Sequence, residues 1–119
     1  MKRPARLRRQ ADFRTTLDAG RVYGGRALVA FGRRTDRAET RVGVTTSRNL
    51  KGAVDRNRAR RRLREVARTV ILGADSPLRD EGIRYDVVLI ARPAALDVPF
   101  AELRSEAQQA ALRLSRLKP

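Results

Sequence analysis

The chain has 119 residues, with 28 lysines and arginines against 13 aspartates and glutamates and a formal net charge of +15. That length fits one domain with a modest core, and a field of this sign fits nucleic acid first and an anionic membrane surface second. Cysteine and histidine are both absent, which removes disulfides, thiolate nucleophiles, the usual zinc sites and histidine acid–base catalysis.

Residues 1–9 form a basic arm with Lys2, Arg3, Arg6, Arg8 and Arg9, of a kind that often orders on nucleic acid. No apolar segment follows Met1-Lys2-Arg3-Pro4, so no signal peptide is expected. No apolar run approaches the roughly 18 residues of a membrane span, and a cytoplasmic location is the expectation. Asp12 is placed to N-cap a short helix through Ala19, with Gly20 as its stop. Phe13 and Leu17 share one side of that helix. Within residues 26–34 the run Ala27-Leu28-Val29-Ala30-Phe31 reads as a strand. A polar stretch from Arg33 to Thr40 then turns the chain. Residues 40–46 alternate Val42 and Val44 with polar neighbours or Gly43, which predicts an antiparallel partner for the first strand. Tyr23 is a candidate start for a further short strand before Gly24-Gly25.

Residues 47–72 organise the rest. Arg56, Arg58, Arg60, Arg61, Arg62 and Arg64 fall within nine residues, yet Ala59, Leu63, Val66 and Val70, with Ala67 beside them, step by four, three and four. This is the helical period. It predicts a helix of about five turns, stopped near Gly73 and Ser76-Pro77. At about 100° per residue, Asn57, Arg60, Arg61, Arg64 and Arg68 gather opposite the apolar stripe, with Arg58 and Arg62 flanking them. Guanidinium forks match phosphate oxygens bidentately and stay charged at working pH. A row of them one turn, about 5.4 Å, apart can follow a phosphate backbone. A solvated face of i,i+4 ion pairs is the other reading, but only Asp55 and Glu65 are at hand to pair with the arginines.

Residues 74–84 read as a loop. Residues 85–92 (YDVVLIAR) are the most apolar strand, and the unbroken run Val87-Val88-Leu89-Ile90-Ala91 predicts burial on both faces beside a parallel neighbour. Strand, helix and strand over residues 40–92 then make a βαβ unit. Pro93 and Pro99 bracket a loop. A last helix follows, with Phe100, Leu103, Ala107, Ala110, Leu114 and Leu117 along one stripe. The result is a single α/β domain over residues 1–119 that fits a nucleic-acid partner, an α+β sandwich in the order α-β-β-α-β-α. The carboxylates are few and scattered, with Asp80-Glu81, Asp36 and Glu39 in loops. No catalytic or metal-ligating set is therefore assigned to the polypeptide.

With these residues in view, the chain resembles the family of bacterial ribonuclease P protein components. The family motif stands as Ser47-Arg48-Asn49, Ala53-Val54, Arg56-Asn57-Arg58, Arg60-Arg61 and Arg64-Glu65. Leu7, Asp12-Phe13, Gly20, Arg41-Val42-Gly43 and Ile90-Ala91-Arg92-Pro93 surround it, so the resemblance runs from residue 7 to 117. Lys51 stands where the family usually has glycine, Arg62 where it is usually apolar, and Leu17 where it is often aromatic.

The resemblance implies a compact, ribosomal-protein-like fold with a left-handed βαβ crossover, against the general right-handed rule. It also implies a protein that assists a catalytic RNA in removing the 5′ leader of precursor tRNA. The RNA and its Mg2+ ions carry the chemistry, and no protein partner is required. Arg56, Asn57, Arg58, Arg60, Arg61, Arg64 and Arg68 would meet the catalytic RNA. The cleft between first helix and sheet would carry the leader, with Phe13 and Phe31 offering ring faces that stack on any base. Arg48, Arg92 and the N-terminal arm would contact phosphates. Each phenylalanine also has the plainer reading of a core residue. The main alternative is a ribosomal or RNA-chaperone-like protein. A DNA-binding regulator is weaker, since only Asn57 offers a base-reading amide and no helix-turn-helix partner is present. A stand-alone nuclease comes last.

Overall fold

The computed structural model describes residues 5–79 and 82–118. Lys2 and Arg3 of the arm, and Asp80-Glu81, lie outside the described residues. Helix α1 (Gln10–Asp18) leads into four strands, β1 (Arg21–Gly24), β2 (Leu28–Thr35), β3 (Arg41–Thr46) and β4 (Arg84–Ala91). Helix α2 (Ala53–Val66) connects β3 to β4, and helix α3 (Phe100–Leu114) closes the chain. The strand at Tyr23 thus exists, and the order gains a strand over the one expected.

The sheet order is β1-β2-β4-β3. β4 pairs antiparallel with β2 and parallel with β3, so β2 and β3 are not the hairpin that their proximity in sequence predicted. They do run antiparallel, but β4 lies between them. Its apolar run explains the position: a strand hydrophobic on both faces gains most from the centre of the sheet.

The two sheet faces have different partners. On one, Leu28 and Ala30 of β2, Val42 of β3, and Tyr85, Val87, Leu89 and Ala91 of β4 join the main core with α2 and α3. The predicted stripe of α2 supplies Ala59, Leu63, Val66 and Ala67 to that core, all fully buried. Truncating Leu63 would cost about 2–5 kcal/mol. From α3 come Leu103, Ala107, Ala110 and Leu114, while Phe100, expected in the same stripe, is exposed. Gly32 shows how tightly α3 sits, because a Cβ there would lie 2.2 Å from a Leu114 methyl. The alternating residues Val29, Phe31 and Arg33, Arg41, Gly43 and Thr45, and Asp86, Val88 and Ile90 therefore face α1.

Local chemistry departs from expectation in three places. Asp12 does not cap α1; the N-cap is Arg9, without a side-chain cap bond. Asp12 stands inside the first turn and accepts from Arg41 at 3.3 Å, so its carboxylate serves the sheet instead of the helix end. The arginine helix does run to Ile71 as expected, but its last turn, Ala67–Ile71, is π-helical, with the Leu72 amide donating to Ala67. Thr69 Oγ1 turns back onto the Glu65 carbonyl at 3.0 Å. Ahead of the helix, Gly52 has φ of 88°, a conformation open to glycine at little cost; it is the N-cap beside Lys51.

Candidate RNA interface

The outer surface of α2 carries the arginines. Asn57, Arg58, Arg61 and Arg68 are exposed, and Arg56, Arg60 and Arg64 are half-buried. They are not equivalent. Arg56 Nε donates to the Leu50 carbonyl at 2.7 Å, which ties the helix to the loop before it. Arg60 donates to Asn57 Oδ1 at 3.0 Å. Arg68 pairs with Glu65 at 2.6 Å, and that hydrogen bond draws the Glu65 carboxyl below its ordinary range. Arg62 turns away from the face: its guanidinium donates to the carbonyls of Ala95 and Val98, both at 2.6 Å. Its place in a usually apolar position is therefore structural, fastening α2 to the 3-10 turn Pro93–Leu96.

Arg64 is the most informative of the set. Burial first, then the charges of Arg6 and Arg60, hold its pKa below the arginine norm. It remains a cation at any working pH, crowded by other cations. Arg6 arrives because the arm docks on the outer edge of β3, in a parallel bridge to Val42. The Leu7 amide donates to the Val42 carbonyl at 3.0 Å and the Leu7 side chain is buried. Between arm and helix opens a cavity of about 270 Å³ lined by Arg6, Arg8, Arg64, Phe13 and Gly43, among others.

Phe13 lies over Gly43. A Cβ at that glycine would come within 2.4 Å of the ring, so the ring rests on bare backbone and stays half-buried. Val88 is in register with Phe31 on one side and Gly43 on the other. Phe31 is thus two strands from Phe13's seat, roughly 10 Å at the usual strand spacing, and is half-buried on the same sheet face. Val88, between them in the sheet, is fully buried.

One end of this sheet face is locked. Asp86, fully buried, accepts from Arg41 through both oxygens at 3.0 and 2.9 Å and from Arg33 at 3.1 Å. The hydrogen bond to Asp86 raises Arg41's pKa above its ordinary value. Through Asp12, the same Arg41 fixes α1 to the sheet. At the other end, Thr46 is in register with Ala91, so exposed Arg48 and half-buried Arg92 leave the sheet together. The Ser47 amide donates to Ala91 and that of Arg92 to Ala27. Arg33, Arg41, Asp86 and Gly43 were not singled out as site residues from sequence, whereas Arg6 was expected to contact phosphate only as one residue of the basic arm. Two had a signal: a charge inside an apolar strand needs a buried partner, and a glycine inside a strand marks a close approach.

Among the described residues no three carboxylates gather as a metal site would require. The surface offered is guanidinium, a donor set that takes phosphate and repels a divalent cation. Two half-buried rings on one sheet face and a row of guanidinium groups along α2 fit a small RNA-binding α/β domain. The Ribonuclease P family model matches residues 1–115, and the chain belongs to that family, the protein subunit of the endoribonuclease. The ribonuclease P protein component of Acidothermus cellulolyticus is 39% identical over 117 residues, 95% of this chain and 90% of that one. That of Symbiobacterium thermophilum is 40% identical over 110 residues, 92% and 90% of the two chains. In fold, the chain matches the RNase P protein of Staphylococcus aureus with a TM-score of 0.71 at 22% identity, over 94% of this chain and 95% of that one. The Thermotoga maritima protein gives 0.69 at 24% identity, over 96% and 98%. The family sets aside the ribosomal or chaperone-like alternative.

Proposed function

We propose that the exposed face of α2 docks on the ribonuclease P RNA while the groove between α1 and the sheet holds the single-stranded 5′ leader of precursor tRNA. Arg58, Arg60, Arg61 and Arg64, with Asn57, take phosphates of the RNA. Arg56 and Arg68 take part while keeping their bonds to Leu50 and Glu65. Phe13 and Phe31 stack on leader bases, and Arg48 and Arg92 meet leader phosphates where the groove opens. The observation that carries this reading is the cavity at the β3 edge, where Arg64 and Phe13 line one space. It makes the phosphate surface and the stacking surface contiguous, as a strand crossing from one RNA to the other requires.

Magnesium ions, held mainly by the RNA, would supply the activated water and charge stabilisation at the phosphodiester. The polypeptide contributes binding, orientation and positive charge, in the cytoplasm. The test is reconstitution with the RNA subunit, followed by 5′ maturation of precursor tRNA at falling magnesium. The protein should lower the magnesium requirement and cleave nothing alone; robust cleavage by RNA-free protein would overturn the division of labour.

A further inference from the structure

A second basic cavity, of about 550 Å³, lies beyond the first turn of α1. Arg6 and Arg8 line both it and the cavity beside Phe13, so the two share a wall. Past that wall, Arg9, Arg37 and Arg41 face Asp12 and Glu39. The carboxylates do not balance them. Asp12 is already divided between Arg41 at 3.3 Å and Arg37 at 3.5 Å, and Arg41 is further committed to Asp86. Arg37 has a half-exposed side chain, in the turn between β2 and β3. Arg8 and Arg9 make no ion pair among the described residues. Among the described residues no aromatic side chain lines this second cavity, so it offers guanidinium groups for phosphate and no ring on which a base could stack.

We propose that this cavity is a second leader subsite, which receives the phosphodiester backbone of the leader's 5′-distal part after it has crossed the Phe13 cavity. A single strand of RNA fits because the cavity continues a surface that already combines guanidinium and ring. Its ligand is read by charge alone, so it is indifferent to leader sequence. The inference rests on the proposed leader-holding function and extends it: leaders long enough to reach Arg37 should bind more tightly than leaders that end at Phe13.

The experiment uses holoenzyme and precursor tRNAs whose leaders span the roughly 4–16 nucleotides that single-strand sites occupy. Wild-type affinity should rise with length and level off. Arg37→Ala should remove the increment, about threefold to fivefold as expected of one exposed charge contact, while a leader too short to reach position 37 binds as before. The salt slope for long leaders should flatten by about 0.7, the value for one single-strand phosphate contact. Arg37→Lys should restore most of the increment, because a point charge still holds phosphate, and Glu39→Gln should strengthen long-leader binding. A wild type indifferent to leader length, or an Arg37→Ala loss equal at all lengths, overturns the subsite while leaving the groove intact. Equal wild-type affinity for precursor and mature tRNA would instead remove the groove reading, and the subsite with it.

Discussion

Replacing Gly43 with alanine tests whether Phe13 is seated by the sheet or merely near it. The new Cβ would stand 2.4 Å from Phe13 Cζ and 2.9 Å from both Cε atoms. Carbon atoms rest at about 3.5–4.0 Å, so the ring must recede by a little over 1 Å. It cannot do so by lifting α1, because the adjacent Asp12 is bound to Arg41 and Arg41 to Asp86. Alanine in place of glycine would on its own favour the strand by about 0.5–1 kcal/mol. Overpacking costs about 1–3 kcal/mol and should win, leaving Gly43→Ala destabilised by about 1 kcal/mol in chemical denaturation. In a Phe13→Ala background the obstruction is gone and the same change should be neutral or stabilising. The double-mutant cycle should thus show coupling of about 1–3 kcal/mol. Holoenzyme containing Gly43→Ala should also lose affinity for precursor tRNA but not for mature tRNA. Additive stabilities would refute the seating of Phe13 on Gly43, and an unchanged precursor-to-mature ratio would refute its use as a stacking face.

Phe31→Leu keeps most of the apolar burial but removes a stacking face worth roughly 1–3 kcal/mol per base; precursor affinity should fall about tenfold or more while mature tRNA is unaffected, and a stability loss with that ratio intact would make Phe31 a core residue only. Arg60→Ala with Arg64→Ala should flatten the salt dependence of binding to the RNA subunit by about two units of log K per log salt, measured across a salt titration; an unchanged slope in folded protein would leave that face merely solvated. Arg62→Ala should do the reverse, lowering stability by about 1.5–3 kcal/mol through the lost charged hydrogen bonds to Ala95 and Val98 while keeping the salt slope, as thermal unfolding beside the same titration will report.

Periodicity made the helices legible. The α2 stripe from Ala59 to Val70 and the α3 stripe from Leu103 to Leu114 are buried as their spacing requires, because an apolar face has one place to go. The same logic put β4 at the centre. Neighbours across the sheet were less legible, since pairing depends on which strand is most apolar rather than on which is next. Nor does a helical wheel show where a long side chain ends. Arg62 flanks the cationic face on paper, yet its guanidinium reaches back to two carbonyls. Asp12 had the sequence position of a cap, but a partner 29 residues away claimed it. The docking of the arm was hidden for a similar reason: a basic segment gives no sign that Leu7 will be buried against β3.

That docking has a consequence for the free protein. β3 ends the sheet, and the outer rim of such a strand is a template on which another chain can pair. Here the rim is occupied at Val42 by the protein's own arm, and the residues beside that contact, Arg6, Arg8 and Arg9, are all cationic. A second copy approaching the rim meets like charge before it meets a hydrogen bond. The arm thereby blunts the sheet edge on which β3 could otherwise pair with a second copy.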